Sequence, residues 1–215
     1  MAIDLPPTVA DDWRRVARRT DDNSLSLATI TAETSIFEHR PTADALERLR
    51  TDGDVPARSL FTVDVRIDPS LESLGFDSTD ALEVAAPKAR EGVADTLEDD
   101  GIAVRGERAS EYIDRPDGAV GHLSVLEVGY PIDSANAPDD GSTTDDTEAA
   151  TIDAEAHVAV WPAAAAYVVA GGLLPLEAPD AELLAAALDV DPARDRERIV
   201  DLFRGLPLES GGDRR

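Results

Sequence analysis

The chain contains no cysteine. That excludes a disulfide framework, a thiolate nucleophile and any cysteine-ligated zinc. Lysine is nearly missing, since Lys88 stands alone beside nineteen arginines, and aromatic residues make up only 4%. Positive charge is scarce, with 20 basic residues against 45 acidic ones. A nucleic-acid backbone requires a basic stripe. The one dense basic run is Arg14, Arg15, Arg18 and Arg19, so no nucleic-acid partner is expected. Met1 to Trp13 lacks a basic n-region and an apolar h-region, and we expect no signal peptide. No Walker loop, Gly-x-Gly-x-x-Gly or Gly-x-Ser-x-Gly occurs.

What is present is a large acidic excess, a net charge of −25 on 215 residues, with 42% apolar content. That length and apolar content predict one domain, residues 1–208, with its own core and a frayed tail at 209–215. At low ionic strength so much like charge pushes a compact state apart. At about 1 M salt the Debye length is about 3 Å and the repulsion is screened. Because the acids are spread along the chain, we read a halophilic cytoplasmic protein. The rival reading is a mesophilic protein with a basic partner. Val158 to Leu176 carries no charge, the length of a membrane span. Pro162, Gly171, Gly172 and Pro175 interrupt it, so it reads as two buried strands and no membrane partner is expected.

Along the chain, Thr8 is placed to cap a helix with Asp11 and Asp12 in its first turn and the arginines toward its end, as a helix dipole favours. A strand around Leu25 to Ile30 follows, continued by or paired with Ser35 to Arg40, then a short helix over Pro41 to Arg50. Leu60 to Ile67 alternates cleanly, with Phe61, Val63, Val65 and Ile67 on one face. A helix capped by Asp77 or Ser78 runs to about Asp99, kinked or split at Pro87. Ile102–Ile113 and Ala119–Ile132 form a hairpin about the Asp-Arg-Pro-Asp-Gly turn at 114–118. Asp133–Ala150 holds six acids and no base and reads as a mobile loop. Strands over Ile152–Trp161 and Ala165–Ala170 precede two closing helices. The sum is an α+β domain, an antiparallel sheet of about six strands flanked by helices.

From Ser59 onward this order resembles the Mog1/PsbP-like group of α/β/α sandwiches. The resemblance rests on the strand Leu60–Ile67 and the phrase Ser70-Leu71-Glu72-Ser73-Leu74-Gly75. The helix, a strand ending at Glu111-Tyr112, and the long strand Gly121–Tyr130 follow. It implies a non-enzymatic accessory or binding module, since members of that group bind a photosystem or a small GTPase, or have no known role. Fold likeness alone assigns no function.

Two sets of side chains are candidates for a site. Trp13 with Arg14, Arg15, Arg18 and Arg19 could dock a partner protein, because Trp and Arg are common hot-spot residues. The alternative is pairing within the helix, such as Asp11 with Arg15. His122 and His157 could ligate a metal if a third ligand such as Glu155 or Glu127 joined them. If their strands pair, they are either neighbours or on opposite faces. The acids of 133–150 fail the EF-hand spacing, since Gly141 stands at the third position from Asp139. The leading expectation is a binding module without catalytic residues or cofactor. The alternatives are a small enzyme with a His/carboxylate site and a self-associating subunit, and the oligomeric state is left open.

Overall fold

A computed structural model describes residues 3–24, 26–46, 55–131, 151–164, 166–179 and 182–208. The segments read as an acidic loop at 133–150 and a tail at 209–215 lie outside the described residues, as does most of the turn expected at 51–56.

Seven strands form one antiparallel sheet: β1 (Trp13–Ser24), β2 (Thr29–His39), β3 (Ser59–Asp68), β4 (Ala103–Asp114), β5 (Val120–Pro131), β6 (Thr151–Pro162) and β7 (Ala166–Pro175). Their spatial order is β1-β2-β3-β7-β6-β5-β4. Two meanders, β1–β3 and β4–β7, therefore meet where β7 pairs with β3. The long helix α3 (Leu82–Asp99) links them and carries the chain from mid-sheet to the far edge. It lies across β4, β5 and β6 on one face, the α3 face. The opposite face is covered by α1 (Pro7–Ala10) and α5 (Pro192–Gly205). Two shorter helices, α2 (Arg40–Leu46) and α4 (Glu182–Leu188), contact each other.

The count of seven corrects the expected six, and the extra strand is β1. Trp13, Val16 and Ala17 have the i, i+3, i+4 spacing of a helical stripe. Here a β-bulge produces that pattern. The register steps from Arg15↔Phe37 to Ala17↔Ile36, leaving Val16 as the extra residue. A bulge reverses which face the following residues take. Trp13 thus packs under α1 and α5, while Ala17 joins the α3 face. The four arginines lie on an edge strand, and the helix expected after Thr8 shrinks to one turn.

β6 and β7 occupy the sheet centre and are buried along almost their whole length. That accounts for the uncharged run, because strands covered on both faces read as continuous apolar sequence. No described helix is long and apolar enough to cross a membrane. At mid-sheet, a Cβ on Gly171 would overlap the His157 carbonyl oxygen and meet the Phe61 ring at 2.6 Å. Gly171 leaves room for that ring against β7. α3 runs unbroken through Pro87, rather than as two abutting helices, and starts at Leu82. Asp77 instead closes the turn before it, accepting from the Thr79 and Asp80 amides at 2.7 and 3.3 Å. The β4–β5 turn forms as expected, with Gly118 at φ 84°. Arg115 in that turn donates to the Leu206 carbonyl at 2.7 Å and to Phe203, capping the last turn of α5.

Candidate functional site

The α3 face carries an open apolar groove. α3 is centred on the β4–β6 half of the sheet, so among the described residues only its flank reaches the β2–β3 half. Phe61, Val63, Val65 and Ile67, the alternating row legible in the sequence, are consequently only half-buried. The flank of α3 facing them presents Ala89, Gly92 and Val93. These small side chains leave a groove of about 320 Å3, floored by Ile36 and Phe61 and reached by Asp21, Thr34 and Thr96 at its polar margin. A Cβ built on Gly92 meets nothing within 4 Å, so that side of the groove is open space.

Further along α3 lies a smaller polar hollow of about 130 Å3, where Ser110, Tyr112 and Glu107 of β4 meet His122 and Ser124 of β5. Ser110 Oγ and His122 Nε2 stand 3.3 Å apart, and the Tyr112 ring meets the imidazole edge-on at 5.3 Å. Arg90 of α3 pairs with Glu107 at 2.7 Å. Burial opposes the Glu107 charge, but hydrogen bonds with Ser124, Arg90 and Ser110 outweigh it and hold the carboxyl below the usual range. A serine–histidine pair becomes a nucleophile and base only when a third group orients the imidazole. Here the carboxylate engages the hydroxyls. Among the described residues none contacts the second imidazole nitrogen.

The α5 face holds two buried polar clusters. In the first, Asp195 from the first turn of α5 is 4% exposed and lies 2.7 Å from Arg58 Nη2, with Arg194 and Arg198 at 3.5 and 3.7 Å. Arg58 also donates to Thr42 Oγ1 at 2.7 Å. That same oxygen lies 2.8 Å from His39 Nδ1, while Arg198 Nη1 lies 3.2 Å from His39 Nε2. A guanidinium only donates, so Nε2 accepts and Nδ1 carries the proton. Burial, then the charges of Arg58 and Arg198, push His39 down to about 4. The imidazole is neutral at pH 7. In the second cluster Glu155, 1% exposed, receives Arg196 at 2.8 Å, Arg108, and His157 at 3.2 Å. Burial opposes its charge, and the bonds from Arg196 and His157 overcome this and hold it low. Burial also lowers His157, against the pull of Glu155. Both clusters tie α5 to the sheet through ion pairs, although in the first the two Asp195 oxygens have charge partners but no hydrogen bond of good geometry among the described residues. A buried carboxylate is tolerated when paired in this way.

The residues singled out in the sequence are therefore dispersed. Trp13 is a core residue, 7% exposed and edge-on to His39 at 5.3 Å. That corrects the expectation of a surface anchor. Arg14 pairs with Glu38 and with Asp44 at 3.5 Å, and Arg15 pairs with Asp4 at 2.6 Å. Arg18 reaches Glu33 at 3.4 Å across the β1–β2 ladder, and Arg19 points to the other side. His122 and His157 sit on neighbouring strands but opposite faces, since His122 pairs with Val160 and His157 with Val125. They cannot share a metal. Glu155 does accompany His157, but as its ion-pair partner, and Glu127 lies beside Glu155. Among the described residues no cluster of three His, Asp or Glu side chains could hold a metal ion. The groove was missed. Its only sequence signal is the run of small residues on α3, which equally describes a tightly packed helix.

These features define a class: an open seven-stranded antiparallel α+β sheet with helices on both faces and a groove beside the helix of one. Residues 4–207 match the family described as a domain of unknown function (DUF6517), and the chain belongs to that family. No curated protein and no solved structure matches it.

Proposed function

We propose that this chain is a non-enzymatic binding module that takes a small apolar molecule in the groove between α3 and β2–β3. The observation that carries the reading is the Phe61–Val63–Val65 row, only half-buried among the described residues beside a flank of small residues on α3. Its volume falls within the range of small-molecule sites, about 300–1,000 Å3. Asp21 and the two threonines at the margin favour a ligand with an amine or hydroxyl end. The histidine chemistry speaks against an enzyme: two of the imidazoles are locked into ion-pair clusters, and the third has no orienting carboxylate among the described residues. The likeness to the Mog1/PsbP-like group points the same way, toward an accessory module. We place it in a halophilic cytoplasm on the strength of its charge.

The test is titration with a neutral fluorescent naphthylamine in molar KCl, comparing the unmodified chain with Gly92→Leu. The added side chain enters open space and fills the groove. Helix propensity improves by up to about 1 kcal/mol, so the variant stays folded. Saturable one-to-one binding by the parent and its loss in the variant support the reading. Equal binding by both, or none by the parent, refutes it.

A further inference from the structure

β1 is an edge strand among the described residues and carries a sequence of self-complementary charge, Arg18-Arg19-Thr20-Asp21-Asp22. We infer that this edge pairs with the same edge of a second copy, antiparallel, about a two-fold axis through Thr20. The inference is independent of the groove reading.

An edge strand presents unpaired backbone donors and acceptors and is a template for another strand. Among the described residues the sheet has two such edges, β1 and β4. β4 is interrupted twice, between Val104 and Gly106 and between Glu107 and Ala109, and bulges blunt an edge. β1 is interrupted once, near its start. From Ala17↔Ile36 to Asn23↔Ile30 it runs without irregularity, and most of it is exposed.

Charge selects the partner and the register. With Thr20 facing its own mate, Arg18 of each chain faces Asp22 of the other, and Arg19 faces Asp21. Four opposite-charge pairs form, each in the directly facing position where such pairs stabilise a sheet. A slip of the axis to Arg19 sets arginine on arginine, and a slip to Asp21 sets aspartate on aspartate. Both are penalised, so one register is specified. The faces also agree. Residues 18, 20 and 22 lie on the α5 face with Ser35 and Glu33's row, while 19 and 21 lie on the α3 face, where Asp21 reaches the groove. Facing residues in an antiparallel pair share a face, so each arginine meets its aspartate on the same side. The product is an isologous dimer with one continuous sheet and both grooves beside the axis. Arg18 and Asp22 already contact Glu33 and Thr31 within their own chain.

The experiment uses the whole chain in about 0.5 M KCl, which screens the mutual repulsion of two bodies of charge −25. Sedimentation equilibrium follows the parent, Arg18→Asp with Arg19→Asp, and Asp21→Arg with Asp22→Arg, each checked for folding by circular dichroism. The expected result is a dimeric parent, two monomeric variants, and a one-to-one heterodimer when the variants are mixed. Because the chain lacks cysteine, Thr20→Cys supplies a second measurement that does not depend on the charge variants folding. Facing Cα atoms about 4.5–5.5 Å apart suit a disulfide. Thr20→Cys should cross-link on mild oxidation and Asn23→Cys should not. A monomeric parent, charge variants that remain dimeric alone, or equal cross-linking at 20 and 23 overturns the inference.

Discussion

Replacing His39 by glutamine removes a buried titratable group while keeping a donor for Thr42 and an acceptor for Arg198. In the folded chain burial, Arg58 and Arg198 depress the imidazole to about 4, against 6.5 when free. The unfolded chain therefore binds a proton more readily, and stability falls as pH drops from 6.5 toward 4 and levels off below. With those two values, protonation favours the unfolded state by roughly 2–3 kcal/mol at pH 4.5 and by well under about 1 kcal/mol at pH 7. His39 should thus cost the parent about 2 kcal/mol on acidification over that interval. Carboxylates titrate in the same range, so the informative quantity is the difference between parent and variant. Urea unfolding of both chains, at fixed molar KCl and at pH 7 and 4.5, measures it. The parent should lose about 2 kcal/mol more than His39→Gln. Parallel losses would refute a neutral His39 held between two guanidinium groups.

Gly171→Ala should lower the melting temperature by roughly 6–12 °C, because the new methyl collides with the His157 carbonyl and the Phe61 ring and overpacking of this kind costs about 3 kcal/mol. Differential scanning calorimetry decides it, and an unchanged transition would mean that the ring does not rest on that glycine. Raising KCl from about 0.1 to 2 M should raise the melting temperature of the parent, since the Debye length falls from about 10 Å to below 3 Å and the repulsion within a chain of charge −25 fades. Flat or falling stability across that range would remove the argument for a salt-rich interior.

Strand pairing and helix placement were legible wherever the period was unambiguous. The alternating row of β3, the β4–β5 hairpin with its Pro-Asp-Gly turn, and the uncharged β6–β7 pair all follow from local pattern. A period of two or a preset turn leaves few alternatives. β1 was not legible. One inserted residue at Val16 reproduced the spacing of a helical stripe, and the capping residues ahead of it agreed with that spacing. The charge, the absence of cysteine and the charge palindrome at 18–22 depend only on which residues are present and in what order. Tertiary structure alone decided that β1 is an edge, so that the palindrome faces outward. It alone set His122 and His157 on opposite faces, and it alone centred α3 on one half of the sheet so that a groove opened over the other. Those outcomes depend on how the two meanders meet at β3 and β7. That is a contact between residues about a hundred positions apart, and no local period encodes it.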